Sequence, residues 1–144
     1  AGGATRGILQ PILHQQPATL CIANRTVSKA QTLAELFNSQ GPVSACGFNE
    51  LQGQSFDWVI NATAASLQGE LPPLPDNLIS STSWCYDLMY AAETTIFNRW
   101  AQRQGAAKIM DGLGMLVEQA AESFWLWRGV KPQTAPVIAE LLKR

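Results

Sequence analysis

Apolar positions along the chain follow two rhythms in turn, one helical and one strand-like, and their alternation points to a layered architecture. Residues 4–14 carry apolar side chains at helical spacing, and Pro11 predicts a kink there, or a short helix followed by a turn. Residues 19–23 read as a short buried strand. Residues 27–38 read as an amphipathic helix with Ala30, Leu33, Ala34 and Phe37 on one face, ended by Gly41 and Pro42. Strands are predicted at 43–46, at 56–60 (FDWVI, running into the turn-prone Asn61, Ala62 and Thr63), at 83–88 and at 108–110. A proline-rich loop covers 69–77, and a helix over 95–104 is closed by Gly105. Two further helices, 113–127 and 135–143, finish the chain. Trp58, Trp84 and Trp100 lie in the alternating elements and read as core. Strands alternating with helices, with no repeats or low-complexity tracts, imply an α/β fold: a doubly wound parallel sheet covered on both faces.

The helix over 113–127 stands out. Leu113, Leu116, Val117, Ala120, Ala121, Phe124 and Trp127 form one wide apolar stripe, while Met115 and Leu126 fall on another side with Gln119 beside them. A helix so widely apolar is expected to pack against something beyond its own domain, with Trp125 and Trp127 as core or interface residues. Gln119 by itself fits an ordinary surface glutamine.

Composition narrows the class without changing the fold. At 144 residues, 47% apolar and 15% charged, the chain has the makeup of a globular domain with a real core. Ten basic residues against eleven acidic ones leave no global field suited to nucleic acid or an anionic membrane. No apolar run is long enough to span a bilayer and no leader is visible, so a cytoplasmic protein is expected. Cys21, Cys46 and Cys85 are odd in number and scattered through strand-like runs, which predicts buried thiols in place of a disulfide framework or a metal site. The lone His14 falls in a polar turn and reads as a surface residue.

Candidate chemistry begins at the first residues, AGGATRG. In doubly wound nucleotide folds a glycine-rich turn follows the first strand, and a pyrophosphate sits on the amides that open the next helix. This stretch, preceding a helix and then a strand, is that arrangement without its first strand; glycine pairs also make ordinary tight turns. About 20 residues further on, such folds place the residue facing the adenosine ribose, acidic for NAD and basic where a 2′-phosphate must be held. NRTVSK stands there, with no carboxylate in the turn: Asn24 and Thr26 offer neutral hydrogen bonds, Arg25 a planar fork, and Lys29 a second positive charge. Each of these also fits a capped helix with solvated charges. Combined with the glycines, they favour NADP over NAD.

AGGATRG, NRTVSKA, INAT, CYDLMY and above all DGLGMLVEQAAESFWLWRG resemble the shikimate dehydrogenase family along the whole chain. That family reduces 3-dehydroshikimate with NADPH. The resemblance implies a Rossmann-like NADP-binding domain over 1–111, lacking its first strand, and C-terminal helices over 112–144 that pack toward a substrate domain the chain does not contain. It implies that Ala1, Gly2, Gly3, Ala4 and Thr5 wrap the pyrophosphate, and that Asn24, Arg25, Thr26 and Lys29 hold the 2′-phosphate and ribose. Relatives often carry Arg where Lys29 stands, which softens the NADP preference. Thr63 would line the cofactor cleft, Leu88 would offer a backbone contact at the nicotinamide end, and Gly112 would touch the nicotinamide. Tyr90 and Gln119 would reach toward bound shikimate or 3-dehydroshikimate.

The family's catalytic lysine and aspartate belong to the N-terminal substrate domain and no motif here matches them, so this segment by itself is expected to be inactive. The family loop starts one residue before Ala1, so the chain is expected to be part of a longer polypeptide. Standing alone it would leave sheet edges to be covered by rearranged pairing or by association of copies, a homodimer among them. A quinate/shikimate oxidoreductase with relaxed NAD or NADP choice and a non-catalytic nucleotide-binding module are the alternatives.

Overall fold

The computed structural model describes residues 2–143, and Ala1, predicted to open the glycine-rich turn, lies outside them. In chain order the elements are α1 (Gly3–Leu13), β1 (Leu20–Ala23), α2 (Val27–Phe37), β2 (Val43–Cys46), β3 (Trp58–Asn61), β4 (Trp84–Asp87), α3 (Ile96–Arg103), β5 (Lys108–Met110), α4 (Leu113–Arg128) and α5 (Ala135–Leu141). Short 3-10 turns, Phe48–Leu51 and Ala65–Gln68, follow β2 and β3. Every element expected from the apolar rhythm is present, with ends moved by a residue or two. Pro11 falls in the last turn of α1 and so removes a hydrogen bond only near the helix end. The chain turns just after Leu13, where the Gln15 and Gln16 amides donate to the Ile12 and Leu13 carbonyls (3.0 and 2.9 Å).

All strand pairing is parallel. β1 and β2 form one ladder, with Cys21 opposite Ser44, and β3, β4 and β5 form a second in that order, with Val59, Cys85 and Ile109 in register. No strand among the described residues pairs with the second edge of β1 or of β3. The ladders nevertheless share a core. One face of β1 and β2 meets α1 and α2 through Leu9, Leu13, Ile22, Ala30, Leu33, Ala34 and Phe37, the predicted stripe of α2 included. Cys21 and Ala23 turn to the other face, against a cluster that holds Cys85 of β4 and Phe97, Trp100 and Ala101 of α3. Helices on opposite faces of a parallel sheet are the doubly wound arrangement.

Two of the three tryptophans expected in the core are not there. Trp100 is buried, but Trp58 and Trp84 are 50% and 37% exposed. They open β3 and β4, in register with each other and with Lys108 at the start of β5. Strand side chains alternate between faces, so Trp84 lies opposite Cys85, which packs toward α3. The two indoles sit 4.9 Å apart, and the Lys108 ammonium lies 4.4 Å from the Trp84 ring centre, a partly solvated cation–π contact. On α4 only Val117 and Ala121 are buried. Trp125 and Trp127 are exposed on this chain, so neither belongs to its core.

The three cysteines are free thiols. Cys21 and Cys46 share a hydrogen bond across β1 and β2, their sulfurs 3.4 Å apart. They are diagonal neighbours on parallel strands, since Cys21 faces Ser44 and Cys46 faces Ala23. Such diagonals place Cα atoms about 7–8 Å apart, too far for an unstrained disulfide. Burial, the Cys21 hydrogen bond and the nearby Cys21 and Glu50 charges push the Cys46 thiol from its ordinary 9.0 up to about 12, and burial pushes Cys85 up to about 11. Both groups hold their protons more tightly in the folded chain than in the unfolded one. Their contribution to stability is therefore full below pH 9.0 and declines as pH rises through that value toward 11 and 12. The urea midpoint should fall across that window, and Cys46→Ser should flatten the fall. A wild-type decline that C46S leaves unchanged would remove Cys46 from the account.

Candidate functional site

Most of the predicted binding residues that the structure describes lie at the carboxyl ends of the strands and the helix starts beside them, where open α/β sheets hold their ligands. At α1 the N-cap is Gly2, which makes no side-chain capping bond, and the first turn contains no acidic residue. Gly2 has an ordinary φ of −105°, and a Cβ added at Gly2 or Gly3 would meet nothing within 4 Å. Neither conformation nor packing among the described residues requires glycine at these positions. Helix-opening amides with no side chain over them leave room for an anion. Ala4 is exposed beside them and Thr5 half-buried.

The turn after β1 has the same character. Asn24 donates its backbone N–H to the Cys46 carbonyl (3.1 Å) and its side-chain amide to the Thr26 carbonyl (2.8 Å), which fixes the turn. Thr26 is the N-cap of α2 by position, yet its side chain makes no capping bond. Arg25, Thr26 and Lys29 are exposed, and the first turn of α2 is also free of acidic residues.

At the ends of β3 and β4 the side chains are buried and bonded. Asn61 accepts from the Thr63 N–H (3.1 Å) and the Thr63 hydroxyl (2.7 Å), and donates to the Asp87 carboxylate (3.1 Å). Asp87, fully buried, also accepts from the Met89 N–H (3.1 Å). Leu88 is buried and donates its N–H to the Asn61 carbonyl (3.0 Å). Tyr90 is half-exposed and lines a cavity of about 190 Å³ with Gly69, Met89, Glu93 and Arg99.

Gly112 brings the last element in. Its N–H donates to the Met89 carbonyl (3.0 Å), while a Cβ there would lie 2.1 Å from the Leu88 carbonyl oxygen. Asp111 accepts from the Leu113 N–H (3.1 Å) at the start of α4. Burial, helped by the Asp111 charge, holds the Tyr86 hydroxyl above its ordinary value.

The structure thus links Thr63, Leu88 and Gly112 through one run of bonds and contacts, and places Asn24, Arg25, Thr26 and Lys29 together in one turn and the helix it opens. Gln119 stands apart: it is exposed on α4, and its side chain makes no hydrogen bond among the described residues, though its carbonyl accepts from the Ser123 hydroxyl (2.9 Å). Asn61 and Asp87 were not among the residues predicted for the site. Their signal was present, since each is the polar last residue of an apolar strand, WVIN and WCYD. Among the described residues no cluster of His, Cys, Asp and Glu could hold a metal ion, and no helix is long and apolar enough to cross a membrane.

Residues 1–68 match the family described as Shikimate / quinate 5-dehydrogenase, and residues 112–142 the Shikimate 5′-dehydrogenase C-terminal domain. Over 144 residues the chain is 58% identical to the shikimate dehydrogenase (NADP(+)) of Cellvibrio japonicus, covering all of this chain and 52% of that relative. The chain belongs to the shikimate dehydrogenase family. Among solved structures it is similar to an Ael1 enzyme from Pseudomonas putida, with 47% identity and a TM-score of 0.88 over 97% of this chain and 51% of that one. It also resembles a shikimate dehydrogenase in complex with NADP+, with 28% identity and a TM-score of 0.75 over 100% of this chain and 53% of that one. The chain spans about half the length of the relatives it matches. Within the family's frame its fold is the Rossmann-like α/β unit with parallel strands and helices on both faces.

Proposed function

We propose that this chain is the cofactor-binding region of an NADP-dependent shikimate dehydrogenase, a cytoplasmic oxidoreductase that reversibly reduces 3-dehydroshikimate to shikimate. The observation that carries this reading is the pair of helix starts. Both α1 and α2 open without a side-chain cap or an acidic residue, one beside glycines that no packing among the described residues requires, the other beside exposed Arg25 and Lys29. The first suits a pyrophosphate, and the second a 2′-phosphate held by the Arg25 fork, the Lys29 charge and the Thr26 hydroxyl. Relatives named for NADP(+) along the whole chain support the same assignment.

NADPH supplies the hydride when bound. The chain's own residues bind and orient: Gly2 to Thr5 offer amides, Asn24 shapes the adenosine turn, Thr63 lines the cleft, and Leu88 and Gly112 present backbone at the nicotinamide end. Tyr90 and Gln119 would contact the substrate when the other half of the enzyme brings it near. In this reading residues 1–111 form the nucleotide-binding unit, and residues 112–144 dock on the substrate-binding half. That half would cover Leu126, Trp127 and Val130, which are exposed on this chain. It would also carry the proton-transferring lysine and aspartate.

Titration of the chain with NADP+ and NAD+ tests the assignment. A charge-assisted bond contributes about 1.5–3 kcal/mol, less where solvent screens it, so NADP+ should bind about tenfold tighter than NAD+. Arg25→Ala should erase most of that difference while leaving NAD+ affinity within about twofold. The segment alone should not oxidise shikimate. Equal affinity for the two cofactors, no binding of either, or normal turnover by this segment would each refute the reading.

A further inference from the structure

Asn61 and Asp87 form a buried polar pair that the proposed cofactor contacts leave without a role. Asp87 is fully buried and Asn61 nearly so. A carboxylate out of water is costly unless hydrogen bonds hold it, and this one receives the Asn61 amide and the Met89 N–H, each at 3.1 Å. The second bond has a geometric consequence. In a planar trans peptide the N–H and the C=O point in opposite directions, so a Met89 N–H turned into Asp87 turns the Leu88 carbonyl away from it.

The Leu88 N–H is meanwhile held by the Asn61 carbonyl (3.0 Å), so the residue is tied on both sides. The Leu88 oxygen comes to rest against Gly112, where a Cβ would approach it to 2.1 Å. Asn61 extends the tie to the turn after β3, because its side-chain oxygen takes both the N–H and the hydroxyl of Thr63.

We propose that Asp87, supported by Asn61, is a positioning residue for the nicotinamide end of the site: it sets the Leu88–Met89 peptide so that the Leu88 carbonyl stands at Gly112, facing the cofactor's carboxamide. This rests on the dinucleotide reading above. Asp87 itself does not touch the cofactor.

The test compares two ligands on the chain: NADPH, and adenosine 2′,5′-bisphosphate, which carries the adenosine and 2′-phosphate but no nicotinamide. Both bonds end on the same oxygen of Asp87, Oδ1. Asp87→Ala removes that acceptor and should weaken NADPH about tenfold while leaving the bisphosphate within about twofold. Asp87→Asn keeps an oxygen able to accept both bonds and should bind NADPH to within about threefold of the parent.

Equal loss of both ligands in D87A, or no loss of either, overturns the proposal, and so does loss of NADPH binding in D87N. Should D87A fail to fold, Asp87→Ser decides in its place by the same comparison: selective loss of NADPH supports the proposal, and equal loss or none overturns it. If the unaltered chain binds neither ligand, the dinucleotide reading itself fails and this proposal with it. Normal binding by the unaltered chain with no selective effect of D87A sinks only the Asp87 proposal.

Discussion

Replacing Gly112 by Ala is expected to separate α4 from the end of β4 and to weaken the cofactor site in the same step. The added methyl would lie 2.1 Å from the Leu88 oxygen and 2.7 Å from the Leu88 carbonyl carbon. Real Cβ contacts stay beyond 3.0 Å, and the opposing atoms are backbone that no rotamer change can move aside. Gly112 has φ −77°, open to any residue, so packing alone demands the glycine. Relief requires the two backbones to move apart by roughly an ångström, which strains the Gly112 N–H bond to the Met89 carbonyl.

Overpacking at a fixed site costs about 1–3 kcal/mol, and backbone against backbone puts this substitution at the upper end. For a chain of this size that corresponds to a fall in Tm of about 10 °C. NADP+ affinity should drop further than stability alone accounts for, because the displaced carbonyl belongs to the nicotinamide end. Circular dichroism melts with cofactor titration on G112A check both. A Tm within about a degree of the parent would mean that the junction is slack and that the close approach carries no energetic weight.

How much of this could be read in advance depends on whether the information is local. The α2 stripe was legible because Ala30, Leu33, Ala34 and Phe37 repeat at helical spacing, and all four are buried. The end of the loop before α3 was legible too, since Thr95 caps that helix through its hydroxyl, 3.2 Å from the Asn98 N–H. The turn Phe48–Leu51 was not legible. Its opening depends on a bond from the Gly47 N–H to the Glu50 side chain (2.7 Å), a contact with no periodic signature.

Trp58 and Trp84 were misread for a different reason. Aromatic residues in strands are usually core, but which face of a strand is covered depends on where the helices fall, and α3 lies on the face of Cys85. At the site, the glycines and NRTVSK announced themselves by spacing, whereas Asn61 and Asp87 are 26 residues apart and meet only when β3 and β4 pair. Gly112 was assigned to the cofactor by resemblance, and its contact with Leu88 became visible only in three dimensions.

Phe97→Ala should be the most destabilising substitution on the helix that backs the three-stranded ladder. Phe97 is 1% exposed and packs with Cys85, Leu78 and Trp100, its ring 5.5 Å from the Trp100 ring centre. Truncation removes transfer free energy and leaves a cavity that the surrounding backbone cannot close, since Cys85 is held in register between β3 and β5. Deletion of a buried phenylalanine costs about 3–5 kcal/mol.

That is a fall in Tm of roughly 10–20 °C here, a large share of the stability a domain of this size commands. The same helix also holds β5 from its end, where the Asn98 side chain donates to the Met110 carbonyl (2.9 Å) just before Asp111 and Gly112. Loosening α3 should therefore raise hydrogen exchange in β5 and at the start of α4 before it reaches α1 and α2, which rest on a cluster of Leu9, Leu13, Ile22 and Phe37. Exchange measured by mass spectrometry on F97A distinguishes the cases. Protection lost uniformly would show that the two clusters unfold as one unit, and protection lost first around α3 and β5 would show that they are separable halves of the sheet.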